Sequence, residues 1–247
     1  MEGQDWVIIE ILKSHIRSTY QRIEGAEVIL APQDTTYIDL TSHPDTEGIG
    51  PLGTKNRYGL LAHSTIVFTP ERVPLGVVRQ QVWTRDPETY GNLEDHKQRT
   101  IENKENKKWL VSLESVNAAA RENPETHFIS IGDREADVYD LFLVMREPNV
   151  DLLIRAAKDR RVIGEETSKI WKSVQAEPAV TKVGIQVPRQ RKRPERRVEL
   201  EVRYKKVIIR SPKCRTKENL PNILIWVINA TEINPASKGS KIEWMLI

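Results

Sequence analysis

Phe128-Ile129-Ser130-Ile131-Gly132-Asp133-Arg134-Glu135-Ala136-Asp137 is the stretch on which the fold turns. An apolar run ends in Gly-Asp and a helical pattern starts at once, so a buried strand delivers a carboxylate at its end. Far upstream, Val28-Ile29-Leu30-Ala31-Pro32-Gln33-Asp34-Thr35-Thr36 has the same form: a short apolar strand over Val28–Ala31, then an acid. Two acids at the ends of neighbouring strands can hold a divalent cation between them. Carboxylate oxygens suit Mg²⁺ or Mn²⁺, which prefer hard ligands and keep several waters. Each acid also has a plainer reading, Asp133 as the N-cap of the next helix and Asp34 as the cap of a turn.

Working outward, residues 5–23 carry apolar side chains at three- to four-residue spacing and predict an amphipathic helix closed by Gly25. Asp39–Asn56 reads as a loop. Tyr58–Thr69 and Val73–Trp83 are β-rich runs parted by Pro70-Glu71-Arg72, which predicts an antiparallel hairpin. Arg85–Asn106 is polar and reads as a surface loop. Lys107–Glu122 has the helix period through Trp109, Leu113, Val116 and Ala120. Glu135–Arg146 predicts a helix with Val138, Leu141, Phe142 and Met145 inward, and Asp151–Ala156 a strand. Three antiparallel strands followed by βαβ units predict an α/β fold, a ribonuclease H-like mixed sheet with flanking helices. In that order the first and fourth strands lie side by side and parallel. Beyond residue 160 the runs Lys182–Val187, Val198–Ile209, Asn222–Asn229 and Lys241–Ile247 predict a β-rich insertion. The expected organisation is a helical lead-in over 1–27, the core over 28–160 and the β-rich region over 161–247.

Composition narrows the function classes. The chain has 247 residues, 30% charged and 38% hydrophobic, which suits a globular protein. No apolar run nears the roughly 20 residues that cross a bilayer. Glu2, Asp5, Glu10 and Lys13 break any signal-peptide pattern. Cys214 is the sole cysteine, which excludes an intrachain disulfide and fits a cytoplasmic location. The five histidines are scattered without zinc spacing, and no Gly-rich phosphate loop is present. The net charge of +3 conceals an asymmetry: residues 181–217 hold 14 Lys or Arg against 3 Glu, net +11, and the rest of the chain is net −8. A basic block in an acidic chain points to a polyanionic partner, or else to a solvated charged hairpin.

Taken together, Gln33-Asp34-Thr35-Thr36 and Asp133-Arg134-Glu135-Ala136-Asp137, with the two acids 99 positions apart, resemble the IS4 family of bacterial DDE transposases, the Tn5-transposase-like group. The resemblance runs from about Val28 to the C-terminus. It implies a ribonuclease H-like catalytic core with a β-rich insertion, metal-dependent cleavage of DNA at transposon ends, and strand transfer. Asp34 and Asp133 match the first two acids of the catalytic triad, which makes them ligands of Mg²⁺ (or Mn²⁺). Leu153–Arg161 resembles the strand and basic turn that meet the double-stranded DNA of transposon ends, so Arg155, Lys158, Arg160 and Arg161, with Arg134 beside the second acid, are the expected DNA contacts. Trp244 resembles a tryptophan that stacks on a base flipped out of the duplex end; its plainer reading is an ordinary core tryptophan.

The family's third acid, in a pattern Tyr-x-x-Arg then Glu then Lys, has no counterpart here, and neither do its C-terminal dimerisation helices or N-terminal end-recognition domain. The expectation is a core fragment, truncated at both ends, that keeps DNA affinity with little or no strand cleavage. Two alternatives stand beside it. One is another ribonuclease H-like nuclease, with Glu135 or Asp137 as the nearest third acid. The other is a non-catalytic DNA-binding fragment that modulates a full-length transposase, including as its dimer partner.

Overall fold

A computed structural model describes residues 2–43, 45–88, 90, 105–164, 169–189, 194–235 and 241–247, the side chains of 2–10 excepted. Most of the loop expected over Arg85–Asn106 lies outside the described residues, as do Arg191, Lys192 and Arg193 of the basic block and the side chains of Trp6 and Ile9. The chain forms two compact units, Met1–Gly132 with Val144–Leu152, and Asp133–Leu143 with Leu153–Ile247.

In the first unit, α1 (Glu2–Ile23) ends at Gly25, whose φ of 78° is the left-handed turn that glycine adopts without strain. There follow β1 (Val28–Asp39), the two-residue β2 (Gly50–Pro51), β3 (Tyr58–Phe68), β4 (Pro74–Trp83), α2 (Lys107–Glu122), β5 (His127–Gly132) and β6 (Val150–Ile154), whose last two residues belong to the second unit. The described strands form a mixed sheet in the order β2-β3-β1-β5-β6, with β4 on β3. β1 runs parallel to β5, from Val28 opposite His127 to Pro32 opposite Ile131, and antiparallel to β3. The expected hairpin is β3–β4, and the expected parallel neighbours are β1 and β5. Helices flank the sheet, as the element order predicts.

Alternation sets what is buried. Ile29, Ala31 and Gln33 of β1 point inward, with Phe128 and Ser130 of β5. Trp109, Leu113, Val116 and Ala120 form the buried stripe of α2. The amide of Asn149 donates to the carbonyls of Ala120, Asn123 and Thr126, and Asn117 holds Met145 O and Glu147 N, so the segment before β6 is tied to the end of α2. On the other side, α1 approaches β4 closely. His15 Nε2 accepts from Val77 N at 2.9 Å, and a side chain at Gly76 would place Cβ 2.2 Å from Thr19 Oγ1.

Two expectations are corrected here. The strand expected to stop at Ala31 continues to Asp39, so Asp34 lies inside β1 rather than beyond its end. Past Pro32 the strand leaves β5 and is paired on β3 alone, with Asp34 opposite Ser64; the β1–β3 ladder skips Ala31 and Pro32, where proline has no N–H to donate. The helix expected over Glu135–Arg146 is broken into a 3₁₀ turn, Arg134–Ala136, and α3 (Tyr139–Leu143). Asp137 leaves helical geometry between them, for a reason given below. Val138, Leu141 and Phe142 are buried as expected, but Met145 is 89% exposed.

The second unit continues with α4 (Ile170–Gln175), β7 (Thr181–Val187), β8 (Arg196–Ile209), a 3₁₀ turn over Lys213–Glu218, β9 (Ile223–Glu232) and β10 (Glu243–Leu246). These strands form an antiparallel sheet in the order β10-β9-β8-β7. Its core is Val198, Leu200 and Ala230, with Ile185, Val187, Val202, Ile242 and Trp244 packed on them. Buried Glu232 is paired with the Arg196 guanidinium and accepts from Ile242 N at 2.9 Å. The Arg196 hydrogen bond, aided by that N–H, holds the carboxyl below the ordinary glutamate range despite burial.

A carboxyl lowered by folding adds stability above its unfolded pKa of about 4.3, and that stability fades as pH falls through the lower folded value. Glu232→Gln should therefore flatten the fall of stability below about pH 4.3. Urea unfolding followed across that range measures it; an unchanged slope would assign the acid sensitivity to other groups.

Candidate functional site

Asp34 lies on the exposed side of β1, and its Oδ1 accepts from Thr35 N at 2.7 Å. The residues on either side point the other way and enter a buried polar chain. Gln33 Nε2 donates to Ser130 Oγ at 3.1 Å, which leaves Gln33 Oε1 to accept from His63 Nε2 at 3.2 Å. His63 Nδ1 is hydrogen-bonded with the Thr35 hydroxyl at 2.9 Å. The His63 ring meets the Trp109 ring edge to face, centroids 4.6 Å apart. Gln33, His63 and Ser130 are fully or nearly fully buried. This chain of side chains joins β5, β1 and β3 behind the segment that carries Asp34. Sequence reading missed it, although the alternation that turns Asp34 outward also turns Gln33 and Thr35 inward.

Asp133 opens the second unit. It is the N-cap of the 3₁₀ turn, accepting from Glu135 N at 2.8 Å, so the plainer reading of this acid holds as a description of its local geometry. Asp133, Arg134 and Glu135 are exposed. Asp34 and Asp133 each have Oδ1 engaged by a nearby backbone N–H, an arrangement that orients the carboxylate. Their hard oxygens and exposure fit a hydrated Mg²⁺ or Mn²⁺.

Asp137 has a different task. Its side chain is fully buried and ion-paired with Arg160, while Oδ2 accepts from the N–H groups of Ala157 and Lys158 at 2.7 Å each. The Arg160 guanidinium lies over the Phe142 ring, 5.2 Å from its centroid, and donates to Asp137 O at 3.2 Å. These partners draw Asp137 out of the expected helix. Its carboxylate is thus committed, and Asp137 is corrected from candidate third acid to structural anchor. Arg160 is likewise turned inward, its side chain 9% exposed, rather than towards solvent as a phosphate contact would be.

The basic turn is held at both ends within its unit. Ile154 and Ala156 are hydrogen-bonded to Ile247 and Met245, and Ile163 N and Arg161 O pair with Ile208 O and Arg210 N. Between these anchors, Lys158 and Arg161 are exposed and Arg155 is half-buried. Trp244, on β10 opposite Ala230, is half-buried on the cluster of Val198, Leu200 and Ala230 and keeps part of its ring exposed.

No family model matches the sequence, and no curated protein matches it. Among solved structures the chain is similar to the piggyBac transposase in a cryo-EM synaptic complex with hairpin DNA, at 8% sequence identity and a TM-score of 0.32. The likeness covers 97% of this chain and 41% of that one, so the chain spans less than half the length of that protein. A similarity this low decides neither family nor function. Among the described residues no group of three or more His, Cys, Asp or Glu side chains gathers as a metal site would, and no helix is long and apolar enough to cross a membrane.

Removing one partner of a buried ion pair strands the other charge and costs about 3–5 kcal/mol. Asp137→Ala should destabilise the protein by that order, and adding Arg160→Met should restore part of the loss. Denaturant unfolding of the single and double variants measures the coupling; additive effects would remove the pair's anchoring role.

Proposed function

We propose that this chain is a catalytic-core portion of a DDE-type DNA transposase of the IS4 kind, acting in the cytoplasm on double-stranded DNA of transposon ends. Asp34 and Asp133 would each serve as a ligand of Mg²⁺ or Mn²⁺. Once bound, the ion supplies Lewis-acid activation of water and charge stabilisation at a phosphodiester. The observation that carries the reading is the parallel register inside the first unit. Pro32 and Ile131 are its last pair, and each acid follows two residues later in its own segment. The motifs around both acids add to this, as does the basic charge of residues 181–217.

The chain's own residues take separate parts. Thr35 N and Glu135 N each fix one oxygen of an acid. The Gln33–His63–Ser130 chain holds β1 in place behind Asp34. Asp137 and Arg160 shape the turn that exposes Lys158 and Arg161, and those two would neutralise phosphates. Transposition also needs a third carboxylate, for which Glu135, exposed on the 3₁₀ turn, is the remaining nearby candidate in sequence.

Two measurements test this. Mn²⁺ titration followed by electron paramagnetic resonance should show a bound ion that Asp34→Asn and Asp133→Asn each release; a variant that keeps the ion would remove its residue from the ligands. Duplex DNA binding should weaken steeply with salt, and Lys158→Ala and Arg161→Ala should each reduce the log–log slope by about 0.9. Absence of binding at low salt would overturn the DNA reading.

A further inference from the structure

β8 changes which face it buries. Val198 and Leu200 are buried in its first half, and the phase then reverses so that Val207 and Ile209 are buried in its second. The second half sits beside α4, which packs on β8 and β9, and beside Val162, bridged to Ile209. The opposite face of that half is left open. Tyr204, Lys206 and Ile208 alternate along it, paired across to Ile228, Trp226 and Leu224 of β9. Directly paired residues share a face. Trp226 is 53% exposed, Tyr204 48%, Leu224 56% and Ile208 42%. Single exposed apolar residues are ordinary, but four together on two adjacent strands make a contact surface.

The chemistry of the patch selects the occupant. The Tyr204 ring meets the Trp226 ring edge to face at 5.6 Å, and Lys206 Nζ lies 5.6 Å from the Trp226 centroid. No carboxylate lies among these six paired positions. The connection that begins directly after Ile209 carries exposed Arg210, Lys213 and Lys217. A flat aromatic platform with Lys206 on it, and further cations in the connection that follows, complements a partner that is both anionic and flat-ringed. Unpaired nucleotides have that combination, because every base has a π-face and each link a phosphate. Duplex DNA hides its base faces in the stack, and an apolar protein surface has no use for the cations.

We infer that the β8–β9 face binds unpaired nucleotides of single-stranded nucleic acid, with a base on Trp226 and Lys206 moved from the ring to a phosphate. The inference does not depend on the metal reading. The probe is a fluorescein-labelled 12-nucleotide oligothymidylate, followed by anisotropy at low salt beside a duplex of the same length. Trp226→Ala should weaken oligothymidylate binding about 5-fold or more and leave duplex binding unchanged, and Trp226→Phe should restore most of it. Lys206→Gln should lower the salt slope for the single strand by about 0.7. Equal losses on both probes, or none on the single strand, would overturn the site. So would a concentration-dependent dimer in sedimentation that Trp226→Ala dissolves while oligothymidylate binding persists, since the face would then belong to a second copy. If Trp226→Ala loses the native circular dichroism, photocrosslinking of the unaltered protein to bromodeoxyuridine oligonucleotide decides. Crosslinks at Trp226 or Tyr204 support the site, and crosslinks confined elsewhere reject it.

Discussion

The parallel pairing of β1 with β5 is the constraint on which the first unit depends. Parallel neighbours cannot be joined by a tight turn, so the chain between them must go elsewhere and return. It lays β3 antiparallel on the far edge of β1, adds β4, and comes back through α2. The register then decides the chemistry of each side. With a side-chain period of two, Ile29, Ala31 and Gln33 face the core while Asp34 faces solvent. A slip of one residue would bury the carboxylate and expose the glutamine.

Three sets of buried polar groups do the rest of the positioning. Burying such groups is costly unless their hydrogen bonds are replaced. Gln33, His63, Ser130 and Thr35 satisfy one another across three strands. Asp137 satisfies Arg160 and two backbone N–H groups, and Glu232 satisfies Arg196 and Ile242 N. In each case at least one partner lies more than 20 residues away along the chain. The cost of leaving one unpaired makes these contacts specific: they define where a strand or turn sits more than they add to the hydrophobic core.

Segments whose own pattern is strong were legible in the sequence. The β3–β4 hairpin, the buried stripe of α2, the strand before Asp133 and the strands of the second unit all follow from alternation or helical period, with turn residues between them. The misreadings have local physical causes. β1 beyond Pro32 is a run of polar and β-branched residues without a clear apolar face, and it is a strand because β3 pairs with it from Leu30 to Asp39. The helix after Asp133 has good periodicity, but Asp137 in its first turn gains more from Arg160 and the N–H groups of Ala157 and Lys158 than from a helical turn. Arg160 reads as one more cation in a basic turn, yet its pairing with Asp137 takes it inward.

The sequence by itself determined the α/β class, the order of the main strands and the two acids that each follow an apolar run, because these rest on local periodicity and backbone preference. Tertiary structure decided which polar side chains became anchors and which stayed exposed. It made Asp137 and Arg160 a buried pair and left Lys158 and Arg161 outside, though all four are equally charged residues in the sequence. It also left Tyr204, Lys206 and Trp226 open on one face of β8 and β9. The physical reason is that desolvation depends on what packs against a side chain, and those partners lie tens of residues away along the chain.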